Sequence, residues 1–183
     1  MEVLRVNIKD NIKDNNKDNN IYIYIYIITM SKIFVFDLDD TLLLSNSYKK
    51  YEDITAHGYL KNLINKINYP KYIYTNGTQG HAEYALKYMN LEDMFVKIFS
   101  RSEYMKPNPR SINLVNNTIL QDNNYNKTTI YFFDDILENL KVAKDFGWKT
   151  IWINTHNENI SDDLYYIDHI YNNIYLALIN INF

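Results

Sequence analysis

From Ile33 onward, short apolar runs alternate with longer stretches in which apolar positions recur at helical spacing. Ile33–Phe36, Tyr72–Tyr74, Val96–Phe99, Thr129–Phe133 and Thr150–Ile153 are rich in Ile, Val, Phe, Tyr and Trp and predict strands. Between them, Ala82–Met89, Pro109–Asn117 and Leu137–Phe146 predict helices, the last ending at Gly147 as a C-cap. Asp163–Ile181 has apolar residues near helical spacing and predicts a final helix. Strands alternating with helices imply right-handed βαβ units, hence an α/β three-layer sandwich around a parallel sheet of about five strands.

The first 29 residues follow neither pattern. "NIKDNIKDNNKDNN" is a short-period polar repeat, and "IYIYIYII" is a strict dipeptide alternation of the kind alternating A and T bases would encode. We expect a disordered tail over 1–29 and a folded domain over 30–183, with Met30 as an alternative start. The sharper reading makes Ile21–Ile28 an added edge strand or a zipper segment. That run is too short to span a bilayer, and the polar stretch before it is not a signal-peptide n-region.

Composition narrows the function classes. A chain of 183 residues fits one domain with a real core. A net charge of -3 gives no basic excess, which argues against a membrane surface, and against nucleic acid except as a phosphate-end substrate. With no cysteine there is no disulfide framework, thiolate nucleophile or Cys-based zinc site, which suits a reducing, cytoplasmic setting.

The polar residues that stand out lie at strand ends. In an open parallel sheet that is where ligands bind. The first strand runs into Asp37-Leu38-Asp39-Asp40-Thr41, the second into Thr75-Asn76-Gly77, and the fourth into Asp134-Asp135. Lys106-Pro107 opens the loop and helix after the third. Clustered carboxylates repel and resist ionising unless a hard cation neutralises them. Mg²⁺ takes one or two carboxylates plus other oxygens, so Asp37 and Asp135 are expected to ligate directly, with the Asp39 carbonyl as a third ligand. Asp37 is then available as a nucleophile. Asp39, two residues on, can hold a proton for a leaving group and later accept one from water, while Asp40 is expected to face away as a turn or capping residue. Lys106, the Thr75 hydroxyl and the backbone N–H groups of Asn76 and Gly77 could cradle transferring phosphoryl oxygens.

These motifs, in this order, resemble those of the haloacid dehalogenase-like (HAD) hydrolases over about Lys32 to Ile153. "DLDDT" matches the family's first motif, "YIYTNG" its second, "YMKPNP" its basic residue and "IYFFDD" its acidic pair. The resemblance implies a Rossmann-like domain and an aspartyl-phosphate on Asp37. It also implies acid/base work by Asp39, phosphate binding by Thr75 and Lys106, and Mg²⁺ held by Asp37, Asp39 and Asp135 with Asp134 at or behind the metal. Asn139 falls where many relatives carry another acid that supports the metal. An acid at Asp39 points to phosphatases or phosphotransferases, not dehalogenases, and the motif wording is most similar to the pyrimidine 5′-nucleotidase-like branch.

That branch inserts a helical cap between the first two motifs, and here only a small insertion around 45–68 is available. We therefore expect a Mg²⁺-dependent phosphomonoesterase acting on a small phosphorylated metabolite or nucleotide. The alternatives are an open-site phosphatase for a protein or nucleic-acid phosphate end, and a catalytically silent binding module. His57, His81, His156 and His169 lack metal-ligand spacing and read as structural or exposed, with His81 placed to face the site. Trp148, Trp152 and the scattered tyrosines read as packing residues.

Overall fold

The computed structural model describes residues 31–44, 49–56, 58–123, 128–160 and 163–181. The expectations for 1–29, Met30 and His57 lie outside the described residues. Strands β1 Ser31–Phe36, β2 Lys71–Tyr74, β3 Lys97–Phe99, β4 Thr128–Asp134, β5 Lys149–Ile153 and β6 His169–Tyr171 form one sheet. Helices α1 Gly58–Asn65, α2 Gln79–Tyr88, α3 Pro109–Asn123, α4 Leu137–Asp145 and α5 Ile174–Asn180 cover it. All strand pairs are parallel, and the order is β3-β2-β1-β4-β5-β6. This is the Rossmann-like arrangement, with the order reversing between β1 and β4.

The sheet has six strands rather than about five, and Asp163–Ile181 is not one helix. Asp168 explains the difference. Its carboxylate accepts from the Thr150 N–H at 2.9 Å, from Lys144 Nζ at 2.6 Å and from Lys149 Nζ at 3.0 Å. That anchor lays the next residues alongside β5, pairing Ile151 with His169 and Ile153 with Tyr171. Asn173 then caps α5 by accepting from the Leu176 N–H, so the helix begins only at Ile174.

Strand alternation divides the core into two layers. Phe34 and Phe36 of β1 point into the layer that holds α1, α2 and α5, while Ile33 and Val35 point into the layer of α3 and α4. Phe36 stacks on Phe133 at 4.6 Å between centroids, just before the strand ends that carry Asp37 and Asp134. Burying each such ring contributes about 1.5–3 kcal/mol, which fixes the floor from which those carboxylates emerge. The 45–68 interval supplies a 3₁₀ turn at Tyr51–Asp53 and α1. Helix α1 buries Leu60, Leu63 and Ile64 in the layer it shares with α2 and α5. No helix among the described residues is long and apolar enough to cross a membrane.

Candidate active site

Adjacent strands at the point of reversal deliver the central carboxylates. Phe36 pairs with Phe133, and the Asp37 N–H donates to the Phe133 carbonyl at 2.8 Å, so Asp37 and Asp134 leave the sheet side by side. Lys106 joins them. Its Nζ donates to Asp37 Oδ1 and to Asp134 Oδ2, both at 2.6 Å. All three side chains are buried, and the Lys106 ammonium also lies over the rings of Tyr74 and Phe132 at 5.3 and 5.4 Å.

Asp134 has little freedom left. Besides Lys106, its oxygens accept from the Ile136 N–H at 2.8 Å and from Asn139 Nδ2 at 3.0 and 3.1 Å. Asn139 thus acts on the acidic cluster through Asp134. Asp135 faces the cavity, and Trp152 Nε1 tethers its backbone by donating to its carbonyl at 2.9 Å. Oxygens of Asp37, Asp134 and Asp135 lie within 4.8 Å of one another.

Crowding shows in the acidities. Burial pushes Asp37 up; Lys106 pulls it back in part, Asp134 raises it again, and it ends at about 8. Asp135 is pushed up to about 7 by burial and the neighbouring Asp134. Burial alone would lower Lys106, but the charges of Asp134 and Asp37 outweigh it and hold the ammonium above its ordinary value. Three carboxylates against one ammonium leave two formal negative charges unbalanced, all on hard oxygen ligands. That donor set fits a divalent cation.

The second strand end builds the opposite wall. Asn76 holds the Lys106 loop: its Oδ1 accepts from the Lys106 N–H at 2.8 Å, and its Nδ2 donates to the Lys106 carbonyl at 3.0 Å. The sequence had suggested only its backbone N–H as functional. The Gly77 N–H, expected in a phosphate cradle, here donates to Thr75 Oγ1 at 2.9 Å. Thr78 then caps α2 by accepting from the His81 N–H. The helix therefore begins three residues earlier than Ala82 and carries His81 in its first turn.

Asp39 stands apart from the other acids. Its carboxylate meets His81 Nε2 at 2.8 and 3.0 Å. Asp40, expected to face away, lines the cavity in a left-handed conformation (φ 58°), with Asp135 and exposed His156 within ligand distance. The cavity measures about 260 Å³ and is walled by Asp37, Asp39, Thr75, Gly77, Lys106 and Asp135 among others. Asp37, Asp39, Asp40, Thr75, Asn76, Gly77, Lys106 and Asp135 are thereby brought to one cavity, with Asp134 buried beside it on Lys106, while Leu38 and Thr41 are buried away from its wall.

The family model for haloacid dehalogenase-like hydrolases matches residues 45–153. The match starts beyond Asp37–Thr41 and takes in Thr75–Gly77, Lys106 and Asp134–Asp135. The chain belongs to the haloacid dehalogenase-like hydrolases. Among solved structures it is similar to YfnB of Bacillus subtilis, assigned as a HAD-hydrolase and bound to magnesium. Identity there is 17% and the TM-score 0.60, over 83% of this chain and 100% of that one. A Thermotoga maritima protein assigned as a beta-phosphoglucomutase gives 14% identity and a TM-score of 0.59, over 84% and 100%. A dehalogenase with an intermediate complex gives 20% and 0.57, over 69% of this chain, which spans 57% of that protein's length. At these identities the likeness is one of fold. No curated protein matches the sequence significantly.

Proposed function

We propose that the protein is a Mg²⁺-dependent phosphomonoester hydrolase working through an aspartyl-phosphate on Asp37. The observation that carries this reading is two aspartates, two residues apart, in opposite surroundings. Asp37 lies inside the buried Lys106 cluster, and Asp39 lies outside it on the cavity wall. A carboxylate of Asp37 attacks phosphorus, the bond to the leaving oxygen breaks, and that oxygen takes a proton from Asp39. Water then attacks the phosphorus of the acyl phosphate and gives its proton to Asp39, which frees Asp37 and inorganic phosphate. Thr75 and Lys106, which line the cavity, would hold the transferring oxygens. Asp37 and Asp135 would hold Mg²⁺, with Asp134 behind them and the Asp39 carbonyl beside them. When bound, Mg²⁺ neutralises the acidic cluster, keeps Asp37 ionised and polarises the phosphoryl group.

The dehalogenase among the similar folds raises halide displacement as a rival. A halide leaves without a proton, so an acid on the cavity wall at Asp39 favours an oxygen leaving group. The cavity, about 260 Å³, is smaller than the roughly 300–1,000 Å³ that encloses a whole small ligand. It suits a phosphoryl group whose remainder lies outside, as in a small metabolite or a mononucleotide of the kind the nucleotidase-like motifs suggest.

A second reading, the phosphate end of a protein or nucleic acid, is favoured by one observation. Helix α1 gives its apolar face to the sheet layer, and no described residue of 45–68 lines the cavity. The test is turnover of 4-nitrophenyl phosphate, followed by mononucleotides, phosphopeptides and 5′- or 3′-phosphorylated oligonucleotides. Turnover should require Mg²⁺ and vanish in Asp37→Asn. Equal rates in EDTA refute the metal dependence, and silence across the whole panel favours a binding module.

A further inference from the structure

We propose that His81, anchored by Tyr51, is a positioning residue that aims the Asp39 carboxyl at the leaving-group oxygen. The inference rests on the phosphohydrolase reading and adds residues that the four strand-end motifs do not contain. The geometry is a chain of three side chains. His81 Nε2 meets both Asp39 oxygens, at 2.8 and 3.0 Å, and His81 Nδ1 meets the Tyr51 hydroxyl at 2.7 Å.

The directions of these bonds follow from the groups. An Asp39 carboxylate can only accept, so the proton facing it belongs to Nε2. In the neutral ring Nδ1 is then an acceptor, and the Tyr51 hydroxyl donates to it. Asp39 thus sets the tautomer, and the Tyr51 hydroxyl, by donating to Nδ1, reinforces it and fixes the ring's orientation. When Asp39 carries its proton, Nε2–H can hold one carboxyl oxygen while the other presents O–H to the leaving group. After proton delivery the same N–H stabilises the carboxylate that remains.

Two further observations support a built arrangement. A Cβ on Gly77 would stand 2.7 Å from His81 Cδ2, 3.2 Å from Thr75 Oγ1 and 3.6 Å from Asp39 Oδ2, so a side chain there would have to displace the His81 ring from its place beside the carboxylate. Gly77 needs no left-handed backbone; among the described residues Gly147 is the glycine with positive φ. Tyr51 is itself held among aromatic rings, with Tyr84 at 5.6 Å and Tyr88 at 6.4 Å between centroids. It comes from the 3₁₀ turn of the 45–68 interval, which thus reaches the proton-handling residue without lining the cavity.

A positioning role predicts a dependence on the leaving group. 4-Nitrophenolate departs readily without a proton, whereas an alkoxide does not. In His81→Ala, kcat/KM on an alkyl phosphate should fall about tenfold or more, while kcat/KM on 4-nitrophenyl phosphate, which covers only the transfer to Asp37 and needs no proton from Asp39, falls far less. Tyr51→Phe should shift kcat/KM in the same selective way but less. His81→Gln, which returns an amide N–H near the Nε2 position, should recover part of the alkyl-ester rate. Equal losses of kcat/KM on the two esters, or no loss on the alkyl ester, overturn the inference, and the 4-nitrophenyl kcat/KM itself reports folding. ¹⁵N spectra of the imidazole give an answer independent of turnover. The wild type should show Nε2–H with Nδ1 as acceptor, and Tyr51→Phe should move the Nδ1 resonance. A tautomer mixture indifferent to Tyr51→Phe overturns the positioning role. Wild-type protein inactive on both esters with Mg²⁺ would instead overturn the phosphohydrolase reading.

Discussion

Replacing Lys106 by Met tests the account of the acidic cluster most directly. The ammonium is the cation that Asp37 and Asp134 share, at 2.6 Å each, with side-chain exposures of 1%, 8% and 0%. Met keeps an unbranched stem of similar length while removing the ammonium that lies over Tyr74 and Phe132, so the change removes charge more than volume. Breaking a buried ion pair by deleting one partner costs about 3–5 kcal/mol, because the remaining charge stays buried and unpaired. Against a total stability of about 5–15 kcal/mol, that is a large fraction. In urea it moves the midpoint by about 2 M at an ordinary slope for a chain of this size.

The pH dependence of that loss has a definite sign. Burial already raises Asp37 to about 8 from an unfolded value of 3.8, so its ionisation opposes folding increasingly as pH rises through that window. Without Lys106 the opposition extends to higher pH. Inside the window both proteins keep Asp37 protonated when folded and lose stability alike. The loss in Lys106→Met should therefore grow only where wild-type Asp37 ionises beside Lys106, and should be larger at about pH 9 than at about pH 6. Urea titrations of both proteins in EDTA at the two pH values measure this, and added Mg²⁺ should narrow the gap. A loss below about 1 kcal/mol, or one independent of pH, would refute the picture of an uncompensated buried cluster.

Asp168→Asn should cost about 2–3 kcal/mol near neutral pH, read by thermal or urea unfolding. Burial disfavours its charge, but bonds from Lys144, Thr150 and Lys149 outweigh that and hold the carboxyl well below the usual range. Its contribution is full above the unfolded value of 3.8 and fades as pH falls through the lower folded value, so wild type and variant should converge in acid. Gly77→Ala should lower kcat/KM more on alkyl phosphates than on 4-nitrophenyl phosphate, because the new Cβ at 2.7 Å displaces the His81 ring, while its approach to Thr75 Oγ1 at 3.2 Å adds a loss common to both. A Gly77→Ala enzyme with unchanged leaving-group dependence would contradict that.

What could be read in the sequence was whatever depends on neighbours along the chain. A contiguous apolar run followed at once by carboxylates marks both a buried strand and its functional end, as at Phe36-Asp37 and Phe133-Asp134. β6 escaped notice because it has three residues, all partly exposed, and owes its course to Asp168 bonding across 18 positions to Thr150. The side-chain roles of Asn76 and His81 escaped it for the same reason. Their partners, Lys106 and Asp39, lie 30 and 42 positions away. Composition at "TNG" suggests a turn whatever the glycine is for; only the ring of His81 packed against it supplies the reason.

The two aspartates of the first motif illustrate how a fold separates chemically identical groups. Asp37 sits where β1 meets β4, at the reversal of strand order, and there it is forced into contact with Lys106 and a second buried acid. Two residues on, the chain has left the sheet, and the hydrogen bonds of Asp39 come from α2 instead. One carboxylate is therefore governed by the strand ends and any cation they hold, the other by a helix and a turn. On the proposed mechanism, chemistry at Asp37 is then set by elements that the fold cannot change without losing its core, whereas proton handling at Asp39 would depend on Tyr51, which belongs to the interval outside the sheet. Substitutions in that interval can tune leaving-group preference while the nucleophile stays as it is, and the paired rates of Tyr51→Phe on the two esters measure that separation.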